Sequence, residues 1–270
     1  MEFISSIALS KEVRNHSLKM VVSSKASHIG SALSMADILS VLYFNILNVD
    51  PENPQNPDRD IFILSKGHAC VSLYAVLALK GFFDIGDLET YGQNDSAFMN
   101  HISHKVRGVE FSTGSLGHGL PFGTGKALGA RIKKNKHKVY VLVGDGELDE
   151  GSNWEALLFA SHHKLDNLIV IVDYNNLQSL TTVADTLNIE PLKDKFIAFG
   201  CNVVEVDGHD HDELHAAFSN TAKSVGKPTV IIAKTIKGKG VSYMENKVKW
   251  HYSTPNENEL QIALNEIYNA

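Results

Sequence analysis

Gly144-Asp145-Gly146-Glu147-Leu148-Asp149-Glu150-Gly151 is followed, one helix-length later, by Asn167-Leu168-Ile169-Val170-Ile171-Val172-Asp173-Tyr174-Asn175-Asn176. Lys138 to Val143 is an apolar strand that runs into the first glycine. Leu168 to Val172 is a second, which runs into the asparagines. Between them Ser152 to His163 carries Trp154, Leu157, Leu158 and His162 at helical spacing. The unit is βαβ. A right-handed crossover makes its strands parallel, so Asp145 and Asn175 leave the same edge of the sheet, where open α/β sheets bind ligands. The Asp145 carboxylate, the Asn175 amide oxygen and a turn carbonyl are hard oxygen ligands. They suit Mg²⁺ or Ca²⁺ and leave positions for phosphate oxygens. The glycines flanking Asp145 permit close backbone approach. Gly-Asp-Gly by itself reads as a turn after a strand. The asparagine pair ending the next strand moves the reading to a metal–diphosphate site.

Strand and helix patterns alternate over the rest of the chain. Met35 to Leu47 is apolar at helical spacing, and the Pro51 to Pro57 stretch ends it. Ile61 to Leu64 reads as a short buried strand. His68 to Leu79 reads as a helix stopped near Gly81. Leu116 to Arg131 is a helix rich in small residues, whose face admits another backbone, either in the core or across a subunit interface. Val203 to Val206 and Thr229 to Ala233 are further strands, separated by a helix near Asp212 to Ser224. Glu257 to Tyr268 is a terminal helix. Alternation with apolar strands implies an α/β fold, a parallel sheet with helices on both faces. No repeat, low-complexity run or linker divides the 270 residues, which is the size of one large domain spanning 1–270.

Composition narrows the function. The chain is 43% apolar with a net charge of −6 and no long basic run, which disfavours nucleic acid. No apolar stretch approaches the roughly 20 residues that span a bilayer. Met1 to Ser10 lack a basic n-region. Cys70 and Cys201 lie in apolar surroundings without metal-ligand spacing and read as buried free thiols. The expectation is a soluble cytoplasmic protein.

Gly-Asp-Gly followed by Asn-Asn at this spacing resembles the thiamine diphosphate-binding motif, and the flanks resemble transketolase. They are Arg59-Asp60-Ile61-Phe62-Ile63-Leu64-Ser65-Lys66-Gly67-His68-Ala69, then Gly108-Val109-Glu110-Phe111-Ser112-Thr113-Gly114-Ser115-Leu116-Gly117-His118-Gly119, and Lys234-Thr235-Ile236-Lys237-Gly238-Lys239-Gly240. The blocks fall in family order from about Ser27 to His251. The resemblance implies thiamine diphosphate as cofactor, with Mg²⁺ or Ca²⁺ held by Asp145, Asn175 and Leu177. It implies cofactor contacts from His68, Gly114, Leu116, Asp145, Gly146, Glu150, Asn175 and His251. It implies catalytic roles for His28, His101 and His251, because neutral imidazole both donates and accepts protons. His104, three positions after His101, competes for that role. Glu150 and Glu155 are also placed near a protomer interface, with a helix N-terminal acid as the competing reading. His162, His163, His209 and His211 read as structural or solvent-facing. His118, where many transketolases have glutamine, and Glu147 receive no role.

Three departures from the family pattern bear on substrate. Ser27-His28-Ile29-Gly30 stands for Gly-His-Pro-Gly, and Ile102 follows His101 where proline is usual. The third is length. A full transketolase continues into a pyrimidine-binding and a C-terminal domain, which supply the activating glutamate. This chain therefore resembles the N-terminal subunit of a split transketolase that moves a two-carbon ketol unit between sugar phosphates. The expected assembly is α2β2 with the C-terminal subunit. Competing readings are another thiamine diphosphate enzyme of the deoxyxylulose phosphate synthase or dehydrogenase type, and a non-catalytic cofactor-binding homologue. A dinucleotide-binding domain lacks its Gly-x-Gly-x-x-Gly after a first strand.

Overall fold

The structure is a computed structural model and describes residues 3–221 and 224–269. Its strands are β1 (Ile61–Leu64), β2 (Val139–Gly144), β3 (Leu168–Tyr174), β4 (Asn202–Asp207) and β5 (Thr229–Lys234). They make a sheet of order β1-β2-β3-β5-β4, and every neighbouring pair is parallel. Gly144 stands opposite Asp173 in the register, so the segments carrying Asp145 and Asn175 leave side by side. The expected α/β sheet is present, with strand bounds within two residues of the sequence reading.

Side chains alternate between the two faces of a strand. Phe62, Leu64, Tyr140, Leu142, Ile169, Ile171 and Ile231 enter one apolar layer. That layer is completed by α1 (Ser6–Ser24), α2 (Ile29–Ser34), α3 (Ala36–Val41), α4 (Cys70–Leu79), α9 (His211–Asn220) and α10 (Glu257–Asn269). Ile63, Val139, Val141, Val143, Val170, Val172 and Ile232 enter the other, against α5 (Gly119–Ile132), α6 (Gly151–His162), α7 (Val183–Thr186) and α8 (Leu192–Ala198). Double coverage is why these strands read as unbroken apolar runs. Every residue of α4 is buried. Burying each of its Leu and Val side chains contributes about 1.5–3 kcal/mol, so tertiary packing fixes this helix.

Helix bounds differ from the sequence reading for local reasons. Met35 to Leu47 is α3 followed by a π-helical turn, Leu42–Ile46, and α2 precedes it; Met35 itself leaves helical geometry. The small-residue helix starts only at Gly119, because Gly117 has φ +80° and a Cβ there would strike Ser152 and Glu150. Asp210 starts α9 by accepting from the backbone N–H of Asp212 and Glu213. That helix ends at Asn220, and residues 222–223 of the expected span lie outside the described residues. In α6 Leu157 is buried, but Leu158 is 57% exposed. The first helix, α1, left no legible apolar stripe, because Ser10, Asn15 and Ser17 are buried among Leu9, Val13 and Leu18. Ser17 resolves its polarity by donating to Val13 O at 2.7 Å. Among the described residues no helix is long and apolar enough to cross a membrane. Cys70 and Cys201 are free and buried.

Candidate active site

A cavity of about 290 Å³ opens where β1, β2, β3 and β5 end. Each strand delivers its own piece of the wall: Lys66 and His68 after β1, Gly144 to Glu147 around the end of β2, Asn175 and Leu177 to Ser179 after β3, and Lys237 after β5. Its wall includes His28, His68, His101, His251, Gly114, Leu116, Asp145, Gly146, Asn175 and Leu177. Glu150 does not line it; that residue is exposed ahead of α6, beside Gly117. Glu155 is also exposed. His104 is turned to Ser112 at 2.7 Å and lies off the wall, so His101 is the histidine at the cavity. His118 is exposed and contacts Leu116 O. Three roomier clefts lie elsewhere, one beside β4 and α9, one at the amino ends of β1 and β2 and one at the carboxyl ends of β4 and β5, and none carries more than one histidine.

Asp145 is buried, and backbone donors fix it. Oδ1 accepts from Gly146 N at 2.8 Å, and Oδ2 from Asn175 N at 2.9 Å and Asn176 N at 2.5 Å. Burial, then the nearby Asp173 carboxylate, push its pKa up to about 6 against these bonds. A cation beside it would reverse that shift. Asn175 Oδ1 accepts from Leu177 N at 3.1 Å, which folds the turn that offers the Leu177 carbonyl. Asp145, Asn175 and Leu177 line the one cavity, and a carboxylate, an amide oxygen and a carbonyl are ligand types that suit a hard cation with phosphate oxygens.

Three buried groups that the sequence reading left unassigned hold this arrangement. Lys237 directs its ammonium at Leu177 O (3.2 Å), Gln178 O (2.8 Å) and His251 Nδ1 (3.0 Å). Burial and then Lys66 lower its pKa to about 8. Lys66 bonds Ser31 O at 2.9 Å and pairs with Asp173, which also accepts from Ser34 and Thr235. Burial raises the Asp173 carboxyl, but Lys66 together with the Ser34 and Thr235 hydroxyls outweighs it and leaves it below the ordinary range. Glu147 Oε1 accepts from Ser65 and from Gly117 N, and Oε2 from Gly144 N, so one carboxylate ties β1, β2 and the segment before α5 together. The signal for Lys66 and Lys237 was present in the quoted blocks. Lysine inside an apolar strand end or a glycine loop is costly to bury without partners.

The histidines form one group. The His28 ring centroid lies 5.1 Å from that of His68, 4.9 Å from His251 and 5.9 Å from His101. His28 has φ +71° at the start of α2, and its N–H donates to His251 O at 2.7 Å. Ser27, which replaces the family glycine, places Oγ 2.8 Å from His28 Nδ1 and leaves Nε2 for a ligand. His251 Nδ1 accepts from the Lys237 ammonium, so the neutral ring carries its proton on Nε2. Burial leads the pKa shifts, with cationic neighbours adding: His28 falls to about 4, His251 to about 3 and His68 well below its usual value. These three rings are neutral at physiological pH. Tyr252 stands exposed at the rim, its ring 4.7 Å from His251.

Residues 6–268 match the model of the transketolase, thiamine diphosphate binding domain. The chain belongs to the transketolase thiamine diphosphate-binding domain family. It is 44% identical over 264 residues to one of the subunits of the apulose-4-phosphate transketolase of Actinobacillus succinogenes, covering 96% of this chain and 95% of that one. It is 38% identical over 256 residues to the 6-deoxy-6-sulfo-D-fructose transketolase subunit SqwG of a Clostridium species, covering 94% and 93%. The transketolase structure from Campylobacter jejuni superposes with a TM-score of 0.93 at 35% identity, over 99% of this chain. This transketolase-family chain spans 43% of the length of that protein.

Proposed function

We propose that this chain is the diphosphate-binding subunit of a two-chain transketolase, acting as a single cofactor-binding domain. With a partner it transfers a two-carbon ketol unit from a ketose phosphate to an aldose phosphate. The observation that carries the reading is the wall of one cavity: an Asp145–Asn175–Leu177 oxygen cluster and a buried lysine stand next to four histidines. Relatives matched over nearly their full length are named as subunits of transketolases, which supports a division of the enzyme between two chains.

Asp145, Asn175 Oδ1 and Leu177 O would hold Mg²⁺ or Ca²⁺, and Lys237 would face the diphosphate oxygens. Bound thiamine diphosphate supplies the electron sink that lets a carbon–carbon bond beside a carbonyl break. The residues of this chain bind the diphosphate end and handle the sugar hydroxyls. His251 presents an Nε2–H donor, and His28 presents Nε2, so the pair orients sugar hydroxyls and moves protons to and from them. Their low pKa values keep both rings neutral, so His251 donates through Nε2–H while His28, with Nδ1 beside Ser27 Oγ, keeps Nε2 free for a hydroxyl. His68 extends the same neutral wall, and His101 lines the cavity beside it. The pyrimidine pocket and the activating glutamate come from the partner in this reading, and two copies of each chain assemble.

The test mixes purified chain with thiamine diphosphate, Mg²⁺, a ketose phosphate and an aldose phosphate, with and without a candidate partner. Apulose 4-phosphate and 6-deoxy-6-sulfofructose join the donor panel because relatives are named for them. Transfer requires both chains. Robust transfer by this chain alone would refute the split arrangement.

A further inference from the structure

Behind the cavity wall, polar groups from two distant parts of the chain converge on Asp37, a buried residue of α3 that does not line the cavity. Arg14 of α1 grips it with two bonds, Nη1 to Oδ1 at 2.9 Å and Nη2 to Oδ2 at 2.5 Å. His209, in the turn before α9, places Nδ1 2.7 Å from Oδ2. His211 places Nε2 3.2 Å from Oδ1, with its Nδ1 against Ser6 Oγ at 2.8 Å. Two of these residues reach onward to one segment. Ile236 N donates to His209 Nε2 at 2.8 Å, and Arg14 Nε donates to Lys239 O at 3.1 Å. These contacts bracket Lys237.

The bonding dictates the roles. A backbone N–H only donates, so His209 Nε2 is the acceptor and the neutral ring carries its proton on Nδ1, where Asp37 receives it. The same carboxylate fixes the plane of the Arg14 guanidinium, whose third edge then meets Lys239 O. Packing alone does not call for such a cluster, because apolar residues of similar volume often replace a buried ion pair without loss of stability. Apolar residues are unable to accept from Ile236 N or donate to Lys239 O. The sequence reading of His209 and His211 as structural or solvent-facing missed this, since the partner Asp37 lies far away in the chain.

We infer that Asp37 and His209 are positioning residues for the cofactor site: with Arg14 they hold the backbone on both sides of Lys237 and so set where its ammonium stands. The inference rests on the reading that Lys237 faces the diphosphate. Other anchors share the segment, among them Gly238 N to Gly30 O at 3.0 Å and Asn246 N to Lys237 O at 2.9 Å. The hub therefore tunes placement rather than creating the loop.

A double-mutant cycle on the full chain tests this by calorimetric titration with thiamine diphosphate at saturating Mg²⁺. His209→Leu removes the acceptor for Ile236 N and weakens affinity roughly tenfold, the scale seen when a residue supporting a ligand contact is lost. His209→Gln, whose amide oxygen accepts the same N–H, recovers most of the loss. In a Lys237→Met background His209→Leu has no further effect. Amide hydrogen exchange at Ile236 in the cofactor-free chain rises in His209→Leu and stays unchanged in Lys237→Met. Asp37→Asn strands a buried guanidinium and can fail to fold, so the His209 pair carries the test; where Asp37→Asn folds, it also raises exchange at Ile236. Equal losses from His209→Leu in both lysine backgrounds, or unchanged exchange at Ile236, would overturn the inference while leaving the cofactor role of Lys237 intact. Undiminished affinity in Lys237→Met alone would remove that cofactor role, and the inference with it.

Discussion

Asp145 is the residue on which cofactor binding turns. Its carboxylate is the single negative charge among the three proposed metal ligands, and its removal leaves the cation and the diphosphate without their main fixed partner. Asp145→Ala is expected to abolish metal-dependent thiamine diphosphate binding in calorimetry, and Asn175→Ala to weaken it less, since a neutral ligand is lost. The pH dependence has a defined sign. With its pKa raised to about 6, Asp145 takes up a proton as pH falls through that value. Affinity for the metal–diphosphate pair should therefore drop on the acid side of about pH 6. His28 and His251 act on stability in the same region. Their folded pKa values, about 4 and about 3, lie below the ordinary 6.5, so the unfolded chain binds the extra protons. Their contribution is complete above pH 6.5 and is lost as pH falls toward 4; a denaturant series in that window, repeated with His28→Ala, should show a shallower slope in the variant. In the assembled enzyme, His28→Ala and His251→Ala should each lower turnover by about 10²–10⁴-fold. At this scale the sequence was legible for Asp145, Asn175 and the cavity histidines, whose residue type within a short motif names the chemistry. Lys66, Asp173, Glu147 and Lys237 escaped because their roles come from partners on other strands. No spacing within a block announces that Lys237 will meet Leu177 O.

The two faces of α5 separate a packing role from a contact role. Gly123 lies on the sheet, and a Cβ there would drive into Val141, with Ile63 close behind. Gly123→Ala should destabilise the chain by about 1–3 kcal/mol, the usual cost of overpacking, as read by chemical denaturation. Gly125 and Gly129 meet nothing within 4 Å. Replacing either by alanine should stabilise the isolated chain by about 0.5–1 kcal/mol through helix propensity. If this face seats the partner, the interface alternative of the sequence reading, the same substitutions weaken assembly in analytical ultracentrifugation. A gain in both stability and assembly would move the contact elsewhere. Element types were readable from period and punctuation, and α4 and the central strands came through almost whole. The end of α3, which passes into a π-helical turn at Leu42, and the start of α5, delayed past the positive φ of Gly117, did not.

Across the whole molecule, parallel strands bring the ends of β1, β2, β3 and β5 to one edge, so residues from Lys66 to Lys237 share a cavity. The order β1-β2-β3-β5-β4 was beyond the sequence reading, since apolar strands buried on both faces carry no mark of their neighbours. The proposed division of labour predicts that this chain binds cofactor yet turns nothing over until its partner is added. The two buried thiols extend the picture in another direction. Cys70 begins α4 in the layer of α1 to α4, whereas Cys201 lies in the opposite layer, just before the edge strand β4. Burial pushes both thiols up, to about 12 and about 11, so neither reacts while covered. Each layer thus holds a native chemical clock. Under native conditions a thiol reagent should mark Cys201 first, because β4 is half-exposed and α4 is not. The interval between the two modifications measures how far the sheet's outer layers open independently, with no label introduced.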